Sequence, residues 1–159
     1  MRRLVMILFI LIIAITALAC HKETEQDKVK KVIIDIQTAA EEKDVKKIMN
    51  NLAKTYGDPQ GFNYETIKGP LFGYFFQYPK ISVYINHVEI SIENTSAKAV
   101  FRTVLTSANK TGSAADLVPQ SLGMYDFDVS LKKESNSWKV TSARWTHVEM
   151  MNTGETEDS

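Results

Sequence analysis

Apolar residues recur at intervals of three and four along the chain from Val29 to Leu52, which is the spacing of an amphipathic helix. Asp44 interrupts the pattern and is placed to cap a second, shorter helix. The inner stripe of the first helix is Val29, Val32, Ile33, Ile36, Ala39 and Ala40, and that of the second is Val45, Ile48, Met49 and Leu52. Both helices are therefore expected to pack one face against a core.

A turn-rich segment, YGDPQGFN, separates these helices from a third. Asn63 at its end is expected to cap a helix that runs to Tyr78, because Pro79 disfavours helical geometry in the residue before it. Gly69-Pro70 lies inside this span and should bend the helix or delay its start. The second half of the helix, LFGYFFQY, is the most aromatic stretch of the chain.

The remaining pattern has the period of two that is typical of β-strands. Ile81–Glu93 is predicted to be a long strand whose inner set is Ile81, Val83 and Ile85, followed by Val88, Ile90 and Ile92. The parity of the alternation changes across Asn86 and His87, which predicts a β-bulge, since one extra residue shifts the alternation by one. Ala97–Ser107 should pair with this strand as an antiparallel hairpin.

Two more strands are expected after a loop at Ala108–Leu122. Met124–Lys133 places Tyr125, Phe127, Val129 and Leu131 on one face, with Asp126 and Asp128 on the other, where they are solvated or face a partner. Trp138–Val148 is the last strand. The residues Trp138, Phe101, Phe127 and Ile36 are interpreted as core. Three helices followed by an antiparallel sheet give an α+β fold.

The N-terminus has the pattern of an export signal. Arg2 and Arg3 form a basic head, Leu4–Ile15 is an apolar run, and Ala17-Leu18-Ala19 leads into Cys20. This ending resembles the lipobox of bacterial lipoproteins, in which the cysteine receives a lipid and becomes the new N-terminus. A plain signal peptide or an N-terminal anchor helix with an incidental cysteine is the alternative.

The lipobox interpretation divides the chain into a signal peptide (1–19), a polar tether (20–27), one domain (28–149) and an acidic, disordered tail (150–159). The expected location is the bacterial cell envelope, with the lipid anchoring the protein to a membrane. His21, and not Asp, follows the cysteine, which favours the outer membrane, with the domain facing the periplasm. Cys20 is the single cysteine, so no disulfide is possible within the domain.

Charge excludes one class of partner. The chain has 19 basic and 19 acidic side chains, and removal of a signal that carries two arginines leaves a slightly negative domain. No basic stripe with interleaved aromatic residues is present, so nucleic acid is not an expected partner.

From about Asp27 to Val148 the chain resembles the NTF2-like superfamily, which includes SnoaL-type cyclases and ketosteroid isomerase. The resemblance is carried by Tyr56-Gly57-Asp58, by GYFFQYP and by the closing strand SWKVTSARW. It implies a cone of three helices against a strongly curved antiparallel sheet, with a pocket at the wide end. The fold hosts enzymes, binding modules and interaction units, so it does not fix the function.

Enzymes of this superfamily carry a carboxylate, tyrosine or histidine in the pocket, and the resemblance therefore implies a set of candidates. They are Tyr56, Asp58, Tyr74, Tyr84 and His87. Each also has a structural interpretation: Asp58 can bond its own Asp-Pro turn, Tyr74 can belong to an aromatic core, and His87 can be a surface residue at the bulge. No residue is assigned a catalytic role.

Neither a metal nor a cofactor is expected. His21, His87 and His147 are far apart in sequence with no paired spacing, and no P-loop, dinucleotide fingerprint or nucleophile elbow is present.

We therefore expect a membrane-anchored envelope lipoprotein whose domain binds a small apolar ligand or a protein partner without catalysis, with Tyr56, Tyr74 and Tyr84 as pocket walls. An isomerase- or dehydratase-type enzyme acting on a hydrophobic substrate is the alternative. A homodimer or an envelope protein partner could use the open sheet face. The residues proposed for that face are Arg102, Thr103, Val104, Thr141, Ala143, Arg144 and Trp145.

Overall fold

A computed structural model describes residues 23–107 and 120–149. The helices are α1 (Glu25–Glu41), α2 (Val45–Asn51) and α3 (Lys68–Gln77), and the strands are β1 (Ile81–Glu93), β2 (Ser96–Ser107), β3 (Gln120–Glu134) and β4 (Ser137–Val148). The strands form one antiparallel sheet in the order β1-β2-β3-β4. The expected α+β architecture is confirmed.

Several expectations concern residues outside the described ranges. The signal peptide, Cys20, most of the loop after β2 and the acidic tail all lie there. Within the two described ranges, no helix has both the length and the apolar character needed to cross a membrane.

The first helix begins earlier than the apolar pattern indicates. Thr24 and Asp27 form a capping box, in which the Thr24 hydroxyl accepts from the Asp27 amide at 3.1 Å and the Asp27 carboxylate accepts from the Thr24 amide at 2.9 Å. The helix therefore starts at Glu25, inside the segment 20–27 that the sequence assigned to the tether.

The second and third helices show how local caps set their boundaries. Asp44 caps α2 as expected, because its carboxylate accepts from the Lys47 amide at 2.9 Å. Asn63 accepts from the amides of Glu65 and Thr66, but it starts a turn and not the third helix, which begins at Lys68. The start expected at Asn63 is thus wrong. Pro70 falls in the first turn of α3, where its missing N–H costs no helical hydrogen bond.

The predicted β-bulge is present in β1. The pairing of β1 with β2 shifts register between Asn86 and Glu89, and His87 has a φ of 53°. Val83 and Val88 consequently both face the helices despite their odd spacing.

Two further irregularities shift the register of strand pairing. One lies between Leu105 and Thr106 on β2, opposite Gly123, whose φ is 126°, and the other lies between Ser130 and Leu131 on β3. β3 begins at Gln120. The loop expected at Ala108–Leu122 therefore extends three residues too far. Bulges of this kind increase local twist and bending, and here they accompany the packing of the sheet around α1.

The core lies between the sheet and α1. Trp138 is 2% exposed, and Val29 and Leu131 are buried with it; Phe101 is buried as expected. Phe127 and Ile36 were interpreted as core, but both are only partly buried. They face a cavity, which accounts for the difference.

The outer face of the sheet carries ion pairs. Arg102 donates to both carboxylate oxygens of Asp126, at 2.6 Å and 2.8 Å, and Lys98 lies 2.9 Å from Asp128. The aspartates of β3 are therefore paired with cations of β2.

Candidate functional site

A cavity of about 400 Å³ lies between the helices and the inner face of the sheet. The C-terminal half of α1 supplies Ile33, Ile36 and Ala40, and α3 supplies Leu71 and Tyr74. These residues reach the cavity because the apolar stripe of α1 continues past the core and because α3 turns Leu71 and Tyr74 towards the same space.

All four strands contribute inward-facing residues to the opposite wall. They include Val83 and Ile85 from β1, Phe101 and Leu105 from β2, Tyr125, Phe127 and Val129 from β3, and Ala143 and Trp145 from β4. The period of two places alternate residues of each strand on this wall.

The lining contains no aspartate, glutamate, lysine, arginine or histidine among the described residues. Gln37 is held in place by donating from Nε2 to the Val83 carbonyl at 2.6 Å. Thr103 is buried and its hydroxyl lies 3.4 Å from the Tyr125 carbonyl. The described wall is therefore apolar, with polar groups only at the tips of a few side chains.

Tyr56 lines the cavity but its hydroxyl is already engaged. It donates to Asp58 at 2.9 Å, and the other oxygen of Asp58 accepts from the amides of Gln60 and Phe62 at 3.0 Å. Burial, and then the hydrogen bond to Asp58, raise the pKa of Tyr56. Asp58 does not belong to the lining, and its oxygens hold the turn together, as its structural interpretation proposed.

Tyr74 also lines the cavity, on α3. Its ring packs against Tyr78 with centroids 4.7 Å apart. Burial raises the pKa of Tyr74 to about 12, with smaller contributions from Tyr125 and Tyr78. The hydroxyl is therefore neutral at physiological pH, and no described residue hydrogen-bonds to it.

Two of the sequence candidates lie away from the cavity. Tyr84 is 56% exposed on the outer face of β1, because its neighbours Val83 and Ile85 point inward. His87 is exposed at the bulge, where the left-handed backbone takes it out of the inner row. Tyr84 is thus not a pocket wall, and the structure does not bring His87 to the site.

A pair of aromatic side chains on the inner sheet face was not predicted from the sequence. Tyr125 on β3 lies opposite His147 on β4, and their rings meet edge to face with centroids 5.2 Å apart. His147 was considered only as a metal ligand. The inward row of β3, which contains Tyr125, was visible in the alternation, but the pairing of that row with His147 depends on the β3–β4 register.

The sheet face proposed for a partner mixes two sides. Thr103, Ala143 and Trp145 line the cavity, whereas Arg102 bonds Asp126 on the outer face and Arg144 is exposed. The set expected to form one half-polar surface is therefore divided between the faces, because successive residues of a strand point to opposite sides of the sheet.

Within residues 23–107 and 120–149, no three histidine, cysteine, aspartate or glutamate side chains are grouped so that they could hold a metal ion.

The sequence matches no known family model and no curated protein. Solved structures match it along most of its length. A proposed dehydratase of the NTF2-like family from Streptomyces avermitilis is 12% identical with a TM-score of 0.70, over 81% of this chain and 100% of that one. A proposed scytalone dehydratase from Novosphingobium aromaticivorans is 11% identical with a TM-score of 0.68, over 79% and 85%.

An NTF2-like protein with a cystatin-like fold from the same species is 8% identical with a TM-score of 0.63, over 83% of this chain and 84% of its own. Identities this low establish the fold alone. The chain thus has the NTF2-like, cystatin-like fold that its helices and sheet suggested.

Proposed function

We propose that the domain binds a small apolar ligand in the cavity and does not act on it chemically. The observation that carries the proposal is the wall itself, whose described residues include no ionisable acid or base apart from tyrosines. A general base must reach the substrate proton directly or through one water. The volume of about 400 Å³ lies within the range of small-molecule sites, about 300–1,000 Å³.

The proposal includes a membrane anchor at Cys20. It is supported by the basic head, apolar run and small residues that precede this cysteine, and it locates the protein in the bacterial cell envelope. A second copy or an envelope protein on the outer sheet face is a further proposal, supported by the exposed Tyr84 and Val100 on that face.

The binding proposal can be tested by filling the cavity. Ala143→Trp and, independently, Ile36→Trp each place a large ring against the cavity wall, whereas Thr146→Trp adds the same ring at an exposed position of β4. The full chain in lipid nanodiscs is titrated with the apolar fluorophore N-phenyl-1-naphthylamine. We expect saturable binding in the wild type and in Thr146→Trp, and its loss in both cavity variants. Equal binding by all four proteins would contradict the proposal.

An isomerase- or dehydratase-type enzyme remains the second candidate. It is favoured by the Tyr125–His147 pair beside the cavity and by the similarity to two proposed dehydratases. Turnover of a hydrophobic substrate that is lost in His147→Ala and retained in His87→Ala would establish it in place of binding alone.

A further inference from the structure

Two hydrogen-bond donors on the cavity wall have no partner among the described residues. They are the Tyr74 hydroxyl on α3 and the indole N–H of Trp145 on β4. An indole nitrogen can only donate, and the Tyr74 hydroxyl keeps its proton because its pKa is raised to about 12. Neither the Tyr74 hydroxyl nor the Trp145 indole nitrogen is closed off from solvent, so both polar tips are available to donate to a molecule in the cavity.

A third group, His147, lies on the same strand face as Trp145. His147 is two residues from Trp145 on β4, so both project to the inner side of the sheet. A Cβ at Gly123 would come within 3.0 Å of both His147 Nε2 and the Tyr125 ring. The absence of a side chain at position 123 therefore makes room for the imidazole, which packs edge to face with Tyr125 and remains exposed to solvent.

We propose that the ligand is an amphipathic carboxylate, whose apolar part fills the cavity and whose carboxylate is bound by the donors of Tyr74, Trp145 and His147. This inference rests on the proposed ligand-binding function and adds the chemical class of the ligand. An ionised carboxylate only accepts hydrogen bonds, so it complements a set of donors. Charge-assisted hydrogen bonds are also about twice as strong as neutral ones, and the described lining contains no acidic residue that would repel the ligand.

Two probes that share an alkyl chain and differ in their head group distinguish the contribution of the head group to binding from that of the tail. Octanoate and octan-1-ol compete with N-phenyl-1-naphthylamine for the full chain in lipid nanodiscs, and Ala143→Trp reports the partition of each probe into lipid. The test variants are Tyr74→Phe and His147→Gln. Their matched controls are Tyr84→Phe and His87→Gln, which make the same chemical changes at exposed positions away from the cavity. Circular dichroism verifies that each variant is folded.

We expect octanoate to bind roughly tenfold or more tightly than octan-1-ol, since hydrogen bonds to a charged group contribute about 1.5–3 kcal/mol. Each test variant should lose most of that preference while its binding of octan-1-ol and the fluorophore is kept, and both controls should retain it. Because His147 is exposed, we expect His147→Gln to fold, and it tests the inference even if Tyr74→Phe does not fold.

Equal affinity for the two probes, or a preference unchanged in both test variants, would overturn the head-group inference and leave the ligand-binding proposal standing. Failure of the fluorophore and both probes to bind the wild type above the level of Ala143→Trp would overturn both.

Discussion

Trp138 stabilises the domain in two ways. Its ring is 2% exposed in the core, and its indole nitrogen donates to Glu25 at 2.8 Å, which joins β4 to the start of α1. Trp138→Ala should lower the free energy of unfolding by about 3–5 kcal/mol, the usual cost of removing a buried large aromatic side chain. Trp145→Ala, at a cavity position that is only partly buried, should cost less. Urea denaturation measures both, and a loss below about 1 kcal/mol for Trp138→Ala would contradict its place in the core.

Glu25 should make the stability of the fold depend on acid pH. Hydrogen bonds from Lys133, Lys28 and Trp138 lower its pKa from 4.5 to about 2. Because the folded state holds the ionised form, this contribution is present above about pH 4.5 and is lost as the pH falls towards 2.

Glu25→Gln should therefore lower the melting temperature at neutral pH and reduce its further fall between these two pH values. Glu65→Gln is the control, since Glu65 pairs with Lys68 within one turn and joins no separate elements. A melting temperature that falls between pH 4.5 and 2 as steeply in Glu25→Gln as in the wild type would show that Glu25 is not the group responsible.

The bulge in β1 leads to a prediction about the stability of variants at His87. His87 adopts a φ of 53°, a conformation that costs residues with a Cβ about 1–2 kcal/mol and glycine much less. His87→Gly should be neutral or stabilising by up to about 1 kcal/mol, whereas the β-branched His87→Val should be destabilising. Thermal unfolding distinguishes them, and equal stability of the two variants would argue against the left-handed bulge.

The strands were more predictable than the helix starts. The alternation of apolar residues in β1 was sufficient to locate the bulge, because Ile85 and Val88 are separated by an odd number of positions. The starts of α1 and α3 depended instead on which residue acts as the cap: Thr24 was not considered, and Asn63 was assigned to the helix although it starts a turn. Of the candidate site residues, Tyr56 and Tyr74 line the cavity. His147 could not be placed because its position depends on pairing between strands, which the sequence does not reveal.

At the scale of the molecule, α1 sets the direction of the cavity relative to a lipid anchor. The helix has 17 residues and is about 25 Å long. Its N-terminus lies against Lys133 and Trp138, whereas Gln37 and Ala40 at the other end line the cavity. If Cys20 carries the proposed lipid, five residues of chain would keep that lipid within about 18 Å of Glu25, and the cavity would face away from the membrane.

Fluorophores attached through cysteines introduced at Asn136 and Phe76 can test this orientation in vesicles that contain a lipid-bound quencher. Asn136 lies in the β3–β4 turn near the start of α1, and Phe76 is 93% exposed on α3. The probe at Asn136 should be quenched more strongly than the probe at Phe76, and the reverse order would contradict the orientation.

Attachment itself is tested by mass spectrometry of the mature N-terminus. We expect cleavage after Ala19 and an acylated Cys20, and Cys20→Ala should abolish the lipid and release the domain or leave it uncleaved. Cleavage elsewhere with an unmodified Cys20 would contradict lipidation.

The binding of an apolar molecule in the cavity can be tested with the two tryptophans of the chain. Trp145 lines the cavity and Trp138 lies in the core outside it. In Trp138→Phe, titration with the small apolar quencher iodobenzene should quench Trp145 emission saturably. In Trp145→Phe, the remaining Trp138 should show only weak quenching that does not saturate. Equal, unsaturable quenching of both tryptophans would contradict binding in the cavity.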